Sequence, residues 1–204
     1  GRYGRHEARP VRYLLLIFPA FAALTPAAAT PIPADALAPP LFPTAVGTRW
    51  VYRDAPQEWS ETITAAEKRS GATVITIEKK ILKAGGPGVS TLKVEVSNRG
   101  VIRVEVNGQK DDIRHYWLKL PAEPGTEWRE TWPQGSTVRT RVSNLERITV
   151  PAGTYQAIPV EAESKHPAEV VAIRTTSWYA PGVGLVKQDG GSYEILLTSF
   201  TPGR

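Results

Sequence analysis

The chain has no cysteine, no methionine and only three histidines among its 204 residues. Without thiols there is no disulfide framework, no thiolate zinc site, no cysteine nucleophile and no lipid-modified cysteine at the end of a leader. Any hold on a membrane therefore has to be peptide. The missing methionine fits initiator removal in front of a small residue, with Gly1 as a native end. His6 lies in a basic N-terminal stretch, and His115 and His166 show no His-x-x-x-His or His-x-His spacing, so no metal centre is expected.

Catalytic motifs are equally scarce. Gly85-Gly86-Pro87-Gly88 lacks the Lys-Ser/Thr and the following helix of a phosphate-binding loop, and no serine sits in Gly-x-Ser-x-Gly. Asp111-Asp112-Ile113-Arg114-His115-Tyr116-Trp117 reads as an acidic turn feeding a strand, not as an acid and imidazole pair. The expectation is a non-enzyme with no catalytic, cofactor-binding or metal-binding residue and no cofactor.

The formal charge is +5, but Arg2, Arg5, Arg9 and Arg12 against Glu7 account for +3 of it. Elsewhere lysines and arginines alternate with glutamates along the same runs, which leaves no cationic stripe to follow a phosphate backbone; no nucleic-acid partner is expected. Residues 13–34 then run without a charge through Leu14-Leu15-Leu16-Ile17-Phe18 to Ala27-Ala28-Ala29. That is the form of an export signal: residues 1–29 read as one hydrophobic signal or anchor helix. A leader cut after Ala29 and a retained span over residues 13–30 both fit, since a helix needs about 20 residues to cross about 30 Å of hydrocarbon. Arginines on the N-terminal side place that end in the cytoplasm, so either fate delivers the rest to the periplasm, released or held by a single inner-membrane span. Pro31, Pro33, Pro39, Pro40 and Pro43 make residues 30–43 an extended linker, which at about 3.1 Å per residue reaches roughly 40 Å.

From residue 44 to residue 204 the apolar period is two. Ile75 and Ile77 alternate with Thr76 and Glu78, Leu92, Val94 and Val96 with Lys93 and Glu95, and Ile102, Val104 and Val106 with Arg103 and Glu105. Turn chemistry breaks the runs at Asn107-Gly108, Pro124-Gly125, Pro133-Gln134-Gly135, Pro151-Ala152-Gly153, Pro181-Gly182 and Asp189-Gly190-Gly191. Pro151, Gly153, Pro181, Gly182 and Gly184 are read as structural turn residues, with positive φ at Gly153. The pattern predicts an all-β extracytoplasmic domain of about ten to twelve strands, an antiparallel meander curling into a sandwich or open half-barrel. Six tryptophans could wall a ligand pocket or fill a curved sheet. Trp128, Trp132 and Pro133 fall near a turn and are expected to be exposed and to contact a partner.

The series Leu41-Phe42-Pro43, Gly47-x-x-Trp50-x-Tyr52, Leu120-Pro121 with Pro124-Gly125-x-x-Trp128, Val150-Pro151-Ala152-Gly153-Thr154-Tyr155, and Trp178-Tyr179-Ala180-Pro181-Gly182-Val183-Gly184-Leu185-Val186-Lys187 resembles uncharacterised exported β-domain proteins of bacteria. The resemblance spans about residues 41 to 200 and implies an extracytoplasmic antiparallel domain; it carries no functional residue over. Two function classes stay open. One is a non-catalytic accessory subunit, anchored through residues 13–30, whose periplasmic domain packs on an inner-membrane complex such as a respiratory or photosynthetic assembly. The other is a periplasmic carrier holding a lipid or other apolar ligand in a half-barrel.

Overall fold

The computed structural model describes residues 41–84, 88–168 and 171–204. The predicted helix over residues 13–30, most of the proline-rich linker and Gly85-Gly86-Pro87 lie outside the described residues. Thirteen strands follow in chain order: β1 (Arg49–Asp54), β2 (Gln57–Arg69), β3 (Ala72–Lys83), β4 (Val89–Ser97), β5 (Gly100–Val106), β6 (Gln109–Lys119), β7 (Glu127–Thr131), β8 (Thr137–Val142), β9 (Glu146–Val150), β10 (Gly153–Lys165), β11 (Ile173–Ala180), β12 (Gly184–Asp189) and β13 (Glu194–Thr201). The count exceeds the expected range because one strand edge is interrupted. β8 and β9 lie end to end along the same side of β10, the first pairing with residues 160–165 and the second with residues 153–157. The break falls where Ser143 donates its N–H to the Pro159 carbonyl at 2.9 Å.

Every ladder is antiparallel, and the spatial order is β6-β5-β4-β3-β2-β1-β13-β12-β11-β10-β8-β7 with β9 beside β10. β1 to β5 each pair with the next strand in sequence, and the strands from β7 to β13 form a second run in which β10 takes up both β8 and β9. The β1–β13 ladder, from Arg49 opposite Thr201 to Arg53 opposite Leu196, joins the two runs. The predicted meander is thus a strongly curled sheet, nearly closed into a barrel, whose two outer edges are β6 and β7.

Local chemistry explains the corners. Asn107 and Gly108 both hold positive φ, 48° and 82°, as a two-residue type I′ hairpin between β5 and β6 requires. The turn therefore ends before Asp111 and Asp112, which lie inside β6; their reading as turn residues is corrected. Pro151-Ala152 closes the β9–β10 hairpin with Val150 opposite Gly153, and Gly153 has φ 143°. Gly182 and Gly184 also hold positive φ, 73° and 86°, at the β11–β12 reversal.

Alternation sets the core: Trp50 and Tyr52 of β1, Ile63 of β2, Ile75 and Ile77 of β3, Val94 of β4, Leu118 of β6 and Leu197 of β13 are all buried. Val101 is buried beside Ile102, against strict alternation, because the β5–β6 register shifts between them. Leu41 and Phe42 are buried too, which corrects the linker boundary: the domain takes in residues 41–43. Two large apolar side chains among prolines have more to gain inside the sheet than in water. The Phe42 ring lies 5.7 Å from that of Trp50 and 6.0 Å from that of Trp117, between β1 and β6.

Three of the sequence motifs meet at this point. The Trp50 indole donates to the Val183 carbonyl at 2.7 Å, and the Tyr52 hydroxyl donates to the Leu185 carbonyl at 2.9 Å. Between those carbonyls sits Gly184, where a Cβ would stand 3.0 Å from the Phe42 ring. Glycine is required there for its φ and for its size. Gly184→Ala should therefore cost about 1–3 kcal/mol through strain and overpacking. Gly153→Val, whose added Cβ meets only ordinary contacts, should cost about 1–3 kcal/mol through backbone strain alone. Phe42→Ala should cost about 3–5 kcal/mol. Urea unfolding of the three variants checks these values, and an unchanged midpoint for Phe42→Ala would return residues 41–43 to the linker.

Candidate functional site

The charged face of the sheet offers little chemistry. Arg139, Arg141 and Arg174 with Glu127, Glu161 and Glu163 border an open hollow of about 280 Å³ on β7, β8, β10 and β11. Arg139 meets Glu127 at 2.8 Å and Arg174 meets Glu163 at 3.0 Å, so these charges largely answer one another across the strands. An apolar hollow of about 340 Å³ lies at Leu41, Phe42, Val96, Val101 and Leu120, with Thr44, Thr73, Ser97 and Asn98 also lining it. Inside the sheet, burial raises the pKa of Glu61, while the Trp59 indole N–H at 3.0 Å and the nearby Lys79 charge support its anion. That cluster is satisfied.

The seam between β6 and β7 is different. Tyr116 of β6 donates its backbone N–H to Glu130 Oε1 of β7 at 3.2 Å. His115 Nδ1 lies 3.8 Å from Glu130 Oε2, and the His115 ring meets the Trp132 ring edge-on at 5.3 Å. Lys119 Nζ is 4.6 Å from the Tyr116 ring and 5.7 Å from the Trp128 ring. Asp111 is engaged elsewhere, by Arg103 through Nε at 2.8 Å. Three buried side-chain nitrogens make no hydrogen bond of good geometry among the described residues, and all three belong to this seam: His115 Nδ1, Trp132 Nε1 and Trp128 Nε1, the last near enough to Glu130 to help hold its anion. Native interiors leave few such groups unpaired, so their concentration at one place singles it out.

Among the predicted contact residues, Pro133 is exposed and Trp132 half-buried, but Trp128 is buried in the core. Its expected exposure is corrected: Trp128 alternates with exposed Glu127 and Arg129, so the pleat turns it inward. Pro151, Gly153, Pro181, Gly182 and Gly184 take corner positions. Sequence reasoning passed over Glu130, whose one local signal is that it breaks the apolar alternation of β7 on the same side as Trp128 and Trp132. His115, which the sequence places in a strand after an acidic turn, has its side chain three-quarters buried in the seam.

Burial raises the Glu130 pKa, opposed by the Tyr116 N–H, the charge of Lys119 and the Trp128 indole N–H. Burial lowers that of His115, helped by Arg103 and opposed by Asp111. Glu130 thus binds its proton more tightly in the fold than in the unfolded chain. Its contribution favours the fold below the unfolded carboxyl value of about 4.3 and is lost as pH rises through the native value. His115 acts in the opposite sense, favouring the fold above about pH 6.5 and losing that contribution as pH falls through its native value. Glu130→Gln keeps an acceptor for Tyr116 and removes the first dependence. Its unfolding free energy should match wild type at low pH and exceed it at neutral pH, as measured by urea unfolding at both. A variant less stable than wild type at neutral pH would show that the seam holds Glu130 as a well-partnered anion.

The comparisons with known proteins bear on the fold. Residues 134–194, from the β7–β8 turn to the start of β13, match the model of a DUF3108-like family. No curated protein matches the chain. Two solved structures share its fold. One, from Parabacteroides distasonis ATCC 8503, is described as a "putative lipoprotein"; it is 17% identical, covers 79% of this chain and 98% of its own, and superposes with a TM-score of 0.53. The other, from Bacteroides fragilis NCTC 9343, is described as a "putative exported protein with YmcC-like fold"; it is 13% identical, covers 78% of this chain and 98% of its own, with a TM-score of 0.54. At these identities the likeness establishes a shared, nearly closed antiparallel fold, and function has to be argued from the site.

Proposed function

We propose that this chain is an exported, non-catalytic binding domain that acts as an accessory subunit on an inner-membrane protein assembly, held there by residues 13–30. The observation that carries this reading is the filled interior. Trp50, Ile63, Ile75, Ile77, Leu118, Val186 and Leu197 are almost wholly buried and pack in one cluster with Phe42, so the sheet's inside is a core and its binding capacity lies at edges and rims. Export is supported by the basic stretch and uncharged run at the N-terminus and by the descriptions of the two solved relatives in fold. The seam does hold an imidazole near a carboxylate, yet Glu130 is committed to a backbone N–H, and neither residue lines the hollows described above. That arrangement suits a binding edge better than acid–base chemistry.

A second reading, a periplasmic carrier, is favoured by the apolar hollow at Leu41 and Leu120, whose volume of about 340 Å³ lies at the small end of ligand sites. Alkaline carbonate washing of native membranes separates the two. A subunit with a retained span stays in the membrane and co-purifies with larger proteins after mild detergent extraction. Release into the wash of a chain beginning at Thr30, monomeric and carrying extractable lipid, would overturn the subunit reading and establish the carrier.

A further inference from the structure

Among the described residues, apart from β8 and β9, which lie end to end, β6 and β7 are the one pair of consecutive strands without a ladder. A ladder there would close the barrel. The two ends of their connection continue the ladders on the outer sides of the two strands. Leu120 donates its N–H to the Arg99 carbonyl at 3.0 Å, in the β4–β5 turn, whereas Gly125 donates to the Val142 carbonyl at 2.8 Å, at the end of β8. Val142 returns its own N–H to the Thr126 carbonyl at 2.9 Å, and Ala122 between these ties is buried. A strand fitted between β6 and β7 would need about 9.6 Å from one to the other, twice the usual spacing of about 4.8 Å. A glutamate side chain and a 3.2 Å hydrogen bond, the link from Glu130 to Tyr116, span most of that distance.

We propose that the seam between β6 and β7 is a docking slot for an extended peptide segment of a partner protein, which enters as an added strand, takes the Tyr116 N–H from Glu130 and completes the barrel. The proposal rests on the accessory-subunit reading and deepens it by naming the surface and the form of the partner. The chemistry of the slot matches a peptide backbone. The Trp132 indole N–H needs an acceptor, and the Tyr116 N–H and the Trp128 indole N–H need one once Glu130 is displaced; peptide carbonyls supply them. Glu130, once displaced, accepts the N–H groups that the peptide brings, and His115 Nδ1 is a further polar partner. Buried Trp128 faces one side of the entering strand, so the segment should alternate apolar and polar residues. A second copy of this chain is a poor occupant. Among the described residues the end strands of the long sheet are β6 and β7, which already line the slot, and the remaining strand with a single ladder, β9, is only five residues long and carries exposed charges at Glu146 and Arg147.

The test uses the full chain and a phage-displayed library of random decapeptides. Selected peptides should share an apolar–polar alternation, and N-methylation of alternate backbone amides in one register should weaken binding at least about tenfold while the other register tolerates it. Glu130→Ala removes the occupant of the Tyr116 N–H and should tighten binding about threefold to tenfold. Amide exchange in residues 113–119 and 127–132 should slow on binding. Should Glu130→Ala fail to fold, the N-methyl series on the unaltered chain decides. Failure to select any peptide, indifference to N-methylation in both registers, or protection confined to the Leu41–Leu120 hollow would overturn the slot. In native membranes, a benzoylphenylalanine placed at Arg114 should cross-link to the co-purifying assembly. An assembly that co-purifies but cross-links only from a probe at Arg147 would sink the slot and leave the subunit reading standing. Peptide binding at the seam with no co-purifying assembly would sink that reading and leave the slot.

Discussion

The fold depends on one long-range closure, the antiparallel ladder of β1 with β13. Its hydrogen-bonded clamp runs from Trp50 to Val183 and from Tyr52 to Leu185, in each case across 133 residues. Loop closure over such separations costs entropy before any contact repays it, so a purely local meander of hairpins would stop as two open sheets. Phe42 changes that balance. It fills the space between Trp50 and Trp117, and the absence of a side chain at Gly184 lets it sit there. The clamp brings the two halves of the chain together, and the curl that results carries β6 round toward β7.

Closure at one place leaves the other as the outlet for misfit. A sheet of this length, built from sequential hairpins, could end by pairing its last two edges. Here the connection from β6 to β7 is fastened to the β4–β5 turn on one side and to the end of β8 on the other. The edges face each other without zipping. A side chain, Glu130, answers one backbone N–H where a strand would answer several. Burial without full pairing then follows for His115, Trp128 and Trp132, and it is the same burial that moves the titration of Glu130 upward and of His115 downward.

Features encoded within a few residues were legible in the sequence. Asn107-Gly108 specifies a type I′ hairpin by its two positive φ angles, Gly153 marks a corner, and the period-two runs identify Ile75, Ile77 and Val94 as core. Features that depend on a distant partner were not. Leu41 and Phe42 look like part of a proline linker until Trp50, Trp117 and Gly184 come together around them. Trp128 looks like a turn residue because Trp132 and Pro133 follow, although its own alternation with Glu127 and Arg129 pointed inward. The seam had one local signal, Glu130 at an inward position of β7, and nothing in the sequence marks β6 and β7 as unpaired.

A half-satisfied polar seam is costly, about 1–3 kcal/mol for each buried group left unpaired, and apolar residues of similar size would remove that cost. A sheet also has to hide its edges, because an exposed row of free N–H and C=O groups recruits any passing strand. Full closure would hide them permanently. Facing two edges across a seam hides them from broad sheets, and a carboxylate bound to one N–H bridges them. The energetic cost at Glu130 and the indoles and the protection of the edges are thus two sides of one arrangement, in which the barrel stops one strand short of closing.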